Sequence, residues 1–567
     1  MSQSIRPLPE DVVRQIAAGE VIASPAAAVR ELAENAIDAG ATRLTIAIDP
    51  QRWHLQVSDN GAGMDVENLK ACALPHSTSK IGSQADLGQI RSLGFRGEAL
   101  HSLARLADLS IASRPVVPVD APGWEACYSQ RGEPVRLETT GMAPGTVVRV
   151  ADLFANFSAR LQALPAPERQ LKLIQQAIHH VALCHPHLTW QVNRGDRLWF
   201  HLFPGSSARD VLPQVLLRVR ATDLKVLTQQ LETPKVEVSA VAKPVSILEL
   251  VIGLPDRCHR SRPDWIKVAL NGRYVQLPEL EQTVYGAFAR TLPRDRYPVC
   301  WLHLKTCPSL IDWNRQPAKC EVYLQEIAYW QEKVSAAIAE ALQIDAERSV
   351  LADQNPRVKS LLKVSEPPGN YRVDRPADKA SPTSEFGLLD LKAIGQASNT
   401  YILAEHPTGV WLVEQHIAHE RVLYERLLDD WQLVPQEPPI LLENLTPGQC
   451  DRLVQLGFEL DVFGDNVWAA RNVPALLQGR DDVAAALREL SQGDDLQAAQ
   501  VATACRSAIR NGTPLTPSQM QELLNDWKVT RNPRTCPHGR PIYLALEESS
   551  LSRFFRRHWV IGKSHGI

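Results

Sequence analysis

No run of about eighteen apolar residues, the length that spans a bilayer, occurs in the 567-residue chain, so no membrane-crossing helix is expected. The opening Met1-Ser2-Gln3-Ser4-Ile5-Arg6 lacks the apolar core of an export signal. Net charge is scarce: 61 Lys and Arg stand against 64 Asp and Glu, leaving −3. Any contact with nucleic acid must therefore come from local patches and not a global field. The ten cysteines follow no regular spacing. That excludes a disulfide scaffold and favours free thiols or metal ligands in a reducing, cytoplasmic setting. A Walker loop, G-x-x-x-x-G-K-[ST], is missing, and so is any 20–50-residue repeat. With 44% hydrophobic and 22% charged residues, the chain is neither collagen-like nor wholly disordered.

What is present divides the chain. Asp353 to Phe386 carries Pro356, Pro367, Pro368, Pro376 and Pro382 among Ser, Lys and Asp, and reads as a tether. Its flexible span is about 30–35 Å. In the first block, Val29, Leu32, Ala33, Ala36 and Ile37 recur at helical spacing after Pro25 and stop at Asp38-Ala39-Gly40. Strands are predicted at Leu44–Ile48 and Trp53–Val57, so helices and strands interleave. A second mixed unit has strands at Ile247–Val251 and Val268–Leu270 and a helix near Glu279–Arg290. After the tether come strands at Tyr401–Leu403 and Val410–Val413, then helices at Ala418–Trp431 and Val483–Leu490.

Glu31 and Asn35 are four apart and share a face of the first helix. A carboxylate beside a carboxamide suits a water-activating base next to a Mg²⁺ ligand, although a solvated helix face is the plainer reading. Asp59-Asn60-Gly61-Ala62-Gly63 follows a strand. It is either a hairpin turn or an acceptor for an exocyclic amine, with glycines that let a flat ring approach. His76-Ser77-Thr78-Ser79-Lys80 and Gly94-Phe95-Arg96-Gly97-Glu98-Ala99-Leu100 bracket a polar loop that can aim backbone N–H groups at phosphates.

In this order the pieces are far more specific than any one alone. With Gln15–Ile22, Glu31–Asn35, Asp38–Thr42, Leu93–Leu100, Pro144-Gly145-Thr146, Leu153–Asn156, Asn271-Gly272-Arg273 and Pro317-Ala318-Lys319, the chain resembles the GHKL ATPase superfamily. More narrowly it resembles the MutL family of DNA mismatch-repair proteins. The resemblance implies an α+β, multidomain chain. Residues 1–209 would form a GHKL (Bergerat) α/β sandwich ATPase domain and 210–347 a ribosomal-S5-like transducer. A linker would occupy 348–386. A C-terminal dimerisation and endonuclease domain would occupy 387–567, with a regulatory subdomain at about 445–515. It implies roles as well. Glu31 would be the general base, Asn35 the Mg²⁺ ligand and Asp59 the adenine acceptor. Gly61, Gly63, Thr78, Ser79, Lys80, Gly94, Arg96 and Gly97 would line the ATP site, with Thr146 behind the adenine and Lys319 reaching the γ-phosphate. The chain departs from the family at Asn314-Arg315-Gln316 and at Ser158-Ala159-Arg160-Leu161.

Beyond the tether, Glu414-Gln415-His416-Ile417-Ala418-His419-Glu420 and Cys536-Pro537-His538-Gly539-Arg540-Pro541 combine imidazole, carboxylate and thiol, a donor set suited to Zn²⁺ or Mn²⁺. These fragments resemble the endonuclease motifs of nicking MutL proteins, and Ala504–Arg510 a third motif. By that resemblance His416, Glu420, Cys505, Cys536 and His538 are metal-site candidates, and Glu414 stands where the family has Asp. His419 is expected on the helix surface. Arg553, Arg556, Arg557 and His558 are a candidate DNA-contact patch. Gln436–Leu441 falls where relatives carry a sliding-clamp-binding peptide. Two readings follow: a homodimeric, ATP-gated nickase of double-stranded DNA working with a mismatch-recognition protein, or a non-nuclease ATP-operated matchmaker with a degenerate or purely structural metal site.

Overall fold

Local chemistry sets the first helix, α1 (Pro25–Asp38). Ser24 accepts from the Ala27 N–H, and Pro25 stands at a first-turn position where its missing N–H costs nothing. Ala28, Val29, Leu32, Ala33 and Ala36 are buried along it, so the sequence pattern and the packed face agree. Strands β1 (Arg43–Asp49) and β2 (His54–Asp59) follow and pair antiparallel. Then come α2 (Ala99–Leu106), β3 (Asp108–Arg114), β4 (Gly123–Tyr128), β5 (Pro134–Thr140), β6 (Gly145–Ala151), α3 (Pro167–Cys184), β7 (Thr189–Arg194) and β8 (Arg197–Leu202). The eight strands form one sheet in the order β5-β4-β3-β6-β2-β1-β7-β8. A second sheet contains β9 (Leu224–Glu232), β10 (Val245–Gly253), β11 (Ile266–Leu270), β12 (Arg273–Val275) and β13 (Cys300–Lys305), ordered β12-β11-β13-β10-β9.

This is a computed structural model. It describes residues 18–80, 92–94, 97–234, 245–293, 295–313, 322–343, 391–406, 409–464, 466–493 and 495–547. The tether, Arg96, Lys319 and the Arg553–His558 patch lie outside the described residues. Two units are distinguished. One comprises Met1–Leu254, Arg262–Ala287 and Pro298–Ile338; the other comprises Pro255–Ser261, Phe288–Tyr297 and Ala339–Ile567.

The second unit has β14 (Lys392–Ala397), β15 (Tyr401–His406), β16 (Gly409–Glu414), α4 (Gln415–Asp429), β17 (Leu433–Glu443), α5 (Pro447–Gln455), β18 (Leu460–Gly464), β19 (Val467–Pro474), α6 (Val483–Leu490), α7 (Leu496–Ser507), α8 (Pro517–Lys528) and β20 (Tyr543–Glu547). One sheet runs β14-β15-β16-β20 and the other β17-β19-β18. The first sheet buries Ile402, Ala404, Trp411 and Val413 against Ala418 and Val422 of α4 and Leu523, Leu524 and Trp527 of α8. The predicted Glu279–Arg290 helix ends earlier, at Ala287, and Arg290 takes a positive φ of 57°, outside helical geometry. Among the described residues no helix is long and apolar enough to cross a membrane.

Candidate functional site

In the first unit, four chain segments meet at the C-terminal end of α1. Lys80 Nζ lies 2.5 Å from Asp38 Oδ2 and 3.1 Å from Asn35 Oδ1. The same Asp38 carboxylate accepts from Leu93 N at 2.9 Å and Gly94 N at 2.8 Å. A Cβ on Gly94 would come within 2.8 Å of Asn35 Oδ1 and 2.9 Å of Lys80 Nζ, so any larger residue would push these side chains aside. Gly97 has φ +63°, and a Cβ there would strike Ser77 O at 2.5 Å, so the two flanks of the polar loop touch. Lys80 N donates to Thr78 Oγ1 at 3.2 Å, while Ser79 is exposed.

The Asp59 turn joins this cluster from the sheet. Ala62 N donates to Ala39 O at 2.8 Å, fastening the turn to the end of α1. Asp59 pairs across the sheet with Thr146, and its Oδ1 accepts from Gly61 N at 2.8 Å. It is therefore not the corner of a hairpin with the next strand. Burial pushes its carboxyl up to about 6, against the opposing pull of the Gly61 and Thr146 N–H groups. Thr146 is buried and shares a 2.9 Å hydroxyl contact with Ser113. Gly63 has φ +68° and packs against the Arg114 carbonyl, where a Cβ would lie 2.0 Å away. Glu31 is only 5% exposed, with Arg30 Nη2 3.4 Å from its Oε1. Asp38, which gathers Lys80, Leu93 and Gly94, was read in the sequence as part of a helix stop and of the Asp38–Thr42 motif, with no site role of its own.

In the second unit, Glu420 Oε1, Cys536 Sγ and a His538 ring nitrogen belong to a donor group lying within 4.8 Å of one another. Two neighbours on α4 deliver the distant turn. Arg421 Nε donates to Thr535 O at 2.7 Å, and Glu425 accepts from Arg531 N at 2.7 Å and Asn532 N at 3.1 Å. The turn itself is closed by Gly539 N to Cys536 O at 2.8 Å and Cys536 N to Arg540 O at 3.0 Å, with Gly539 at φ +77°. Glu420 is fully buried. Its Oε2 accepts from Arg540 Nη2 at 3.0 Å, and its Oε1 lies 2.7 Å from His538 Nδ1 but without hydrogen-bond geometry. Cys536 and Glu420 together push His538 up to about 9. Burial pushes Glu420 up, but His538, Arg540 and His416 outweigh it and leave the carboxyl below its ordinary value.

Glu414, His416 and Cys505 stand outside that group of three. Glu414 caps α4, its Oε2 accepting from Ile417 N at 2.5 Å, while the buried Oε1 has no hydrogen-bond partner among the described residues. His416 Nδ1 lies 2.8 Å from Ile509 O. A carbonyl only accepts, so Nδ1 carries a proton, and Nε2 holds the lone pair whenever the ring is neutral. Cys505 is half-buried, and burial, reinforced by the Glu420 charge, pushes its thiol up. The expectation for His419 is corrected. Its Nδ1 accepts from Ile509 N at 3.0 Å, so it is held in a contact and is not free on the helix surface. His416 and His419, three apart and hence neighbours on α4, grip the two ends of residue 509 in opposite tautomers. Gln415 is completely buried and donates to Asn399, Arg510 and Thr513 carbonyls, tying the start of α4 to two loops. Neither Gln415, Arg421 nor Arg540 had a role in the sequence reading.

A model of "Histidine kinase-, DNA gyrase B-, and HSP90-like ATPase" matches residues 23–119, one of "DNA mismatch repair protein, C-terminal domain" matches 224–343, and one of "MutL C terminal dimerisation domain" matches 394–515. The DNA mismatch repair protein MutL of Rippkaea orientalis is 57% identical over 567 residues, covering 100% of both chains. The chain belongs to the MutL family. MutL of a Nostoc species is 56% identical over 570 residues, again with 100% of both chains covered. MutL of Rhizobium johnstonii is 31% identical over 622 residues, covering 98% of this chain and 100% of its own. As a MutL protein, this chain acts in DNA mismatch repair and carries a GHKL ATPase domain, which implies ATP and Mg²⁺. Its C-terminal dimerisation domain supports a homodimer.

Proposed function

We propose that this MutL protein is an ATP-operated clamp on duplex DNA that also nicks one strand with a metal site in its second unit. The nicking half rests on one observation, the gathering of Glu420, Cys536 and His538 donor atoms from chain positions more than a hundred residues apart. Thiolate, imidazole and carboxylate fit Zn²⁺, or Mn²⁺ if the thiol stays out of the coordination. The buried Glu414 Oε1, without a hydrogen-bond partner among the described residues, and the His416 ring are further donors, and the Cys505 thiol feels the Glu420 charge. The bound ion would polarise the phosphodiester and activate water. Arg540 fixes the Glu420 carboxylate, and the Ile509 carbonyl fixes the His416 ring, so both are oriented before any ion arrives. The test is supercoiled plasmid with Mn²⁺: nicking that disappears in His416→Ala and Glu420→Ala supports the reading. The matchmaker reading has its own support, because Glu414 spends one carboxylate oxygen on a helix cap. Plasmid left intact at every Mn²⁺ and Zn²⁺ concentration would favour it.

In the ATP site, Glu31 polarises the attacking water, Asn35 holds Mg²⁺, and Asp59 accepts from the adenine amine. Gly61 and Gly63 leave room for the ring, with Thr146 behind it. Thr78, Ser79, Lys80, Gly94 and Gly97 flank the phosphates, and Arg96 and Lys319 are added by family resemblance alone. A carboxylate accepts from an amine far more strongly than the protonated acid does, and the Asp59 carboxyl is raised to about 6. Above that pH it is a carboxylate ready for the amine; below it a proton must first be expelled. Nucleotide affinity is therefore expected to be flat above pH 6 and to fall about tenfold per pH unit below it. Titration of a fluorescent ATP analogue from pH 5 to 8 measures this, and Asp59→Asn should be weak and flat throughout.

We assign the homodimer contact to the open face of the β14-β15-β16-β20 sheet. Leu403, Leu412 and Leu544 lie opposite one another in successive strands, with Ile394 and Tyr401 also on the exposed side. Leu544 is 58% exposed. A two-fold contact doubles each side chain's effect. Leu412→Arg should therefore cost about 3–6 kcal/mol, or about 10²–10⁴ in dimer affinity. Light scattering on the eluting protein should show a monomer at micromolar concentration; an unchanged dimer would place the contact elsewhere. Gln436–Leu441 lies on the edge strand β17, where pairing with β19 skips from Pro435 to Ile440, and stays the candidate for a sliding-clamp protein. A mismatch-recognition protein is the expected upstream partner.

A further inference from the structure

The turn that begins β12 makes a connection that the ATP-site roles above do not include. Arg273 Nη2 lies 2.7 Å from Glu34 Oε2, and Arg273 Nε lies 3.4 Å from Glu34 Oε1. Both side chains are almost fully buried, at 6% and 4% exposure. The same guanidinium donates to the Leu93 carbonyl and faces the Trp313 ring at 5.2 Å. The turn is held from both sides. Gly272 N donates to His303 Nε2 of β13 at 2.9 Å, Gly272 O meets His185 Nε2 at the end of α3 at 2.9 Å, and Tyr274 stacks on His180 of α3 at 3.8 Å.

Those contacts converge on the end of α1 assigned to the ATP site. Glu34 sits between Glu31 and Asn35 on α1. Leu93 precedes Gly94, and the Leu93 and Gly94 N–H groups hold Asp38. One guanidinium from the second sheet thus grips the helix that bears the base and the residue where the polar loop returns. A cavity of about 200 Å³, lined by Arg30, Glu34, Leu93, His180, Arg273 and Tyr274 among others, opens beside it, so the guanidinium is not walled in on every side.

We infer that Arg273 is a positioning residue for ATP turnover: its fork aligns α1 with Leu93–Gly94 and couples that end of α1 to the second sheet. The inference rests on Glu31 being the base, and Glu31→Ala run in parallel separates the two. If that variant hydrolyses normally, the base assignment fails whatever Arg273 does.

The fork needs guanidinium geometry, because a lysine ammonium cannot serve Glu34 and the Leu93 carbonyl in the same plane. Arg273→Lys and Arg273→Gln should lower kcat at least tenfold while KM for ATP changes less than threefold. Arg273→Gln strands a buried carboxylate and could unfold, so Glu34→Gln/Arg273→Gln removes both charges together. That double variant should melt near the wild type and still turn over at least tenfold slowly. Hydrogen exchange supplies a reading that a merely structural ion pair would not move. A non-hydrolysable ATP analogue should slow exchange at residues 266–275 in the wild type, but not in the double variant. Wild-type turnover in Arg273→Lys, or recovery of kcat in the double variant, or nucleotide-dependent protection of 266–275 that survives the loss of the pair, would each overturn the inference.

Discussion

Glu31→Ala is expected to bind ATP with an affinity within about threefold of the wild type and to release phosphate at least a hundredfold more slowly, the scale of a lost general base. The reason lies in its surroundings. Glu31 is buried on α1 with Arg30 beside it, and no nucleotide-anchoring role is assigned to it. The groups proposed to grip the nucleotide are elsewhere, at Asp59 and Thr146 on the sheet and at Asn35, Lys80 and Gly94 where the loop closes. Removing the carboxylate should therefore spare the bound state and raise only the barrier. Phosphate release and binding of a fluorescent analogue, measured on one preparation, distinguish this from a collapsed site. A variant hydrolysing at the wild-type rate would reject Glu31 as the base, and one that no longer binds would make it a structural residue.

The second large effect belongs to Glu420. Its carboxylate is completely buried between His538 and Arg540. Glu420→Ala removes a ligand candidate and leaves two nitrogen groups facing each other without their counter-charge. Nicking of supercoiled plasmid should fall at least a hundredfold. Zn²⁺ affinity, followed by calorimetry on the full chain, should weaken at least tenfold, with Cys536→Ser doing the same. Wild-type protein that binds Zn²⁺ tightly yet leaves plasmid intact would mark the centre as structural. Loss of nicking without any change in metal affinity would move the ion to another set of donors.

Much of this was legible because it is local. Pro25 after Ser24, four-residue spacing between Glu31 and Asn35, and strand alternation on either side of the tether are short-range patterns that packing then confirmed. The two halves of the candidate metal centre were also visible as fragments, and Glu420, Cys536 and His538 do come together. What stayed hidden depends on single side chains reaching across the fold. Glu34 and Arg273 are 239 residues apart, and nothing periodic announces them. Asp38 stood in a motif, yet its role stayed hidden because its partners, the Leu93 and Gly94 amides, are backbone groups that carry no sequence signature. His419 was assigned to the surface because a helical position three residues from a candidate ligand says nothing about which loop covers it; the loop is the segment at Ile509.

The turn bearing Cys536 and His538 stands just before β20, which joins the sheet beside β16, whereas Glu420 stands on the helix that leaves β16. A ribosome adding about 5–20 residues per second exposes the first of these parts roughly 6–23 s before the second has been made. During that interval the nascent polypeptide can already fold its ATPase domain, while the proposed metal centre still lacks Cys536 and His538. If the proposed centre cuts DNA, translation order itself withholds the blade until the end, and any chain halted before Cys536 would be born blunt.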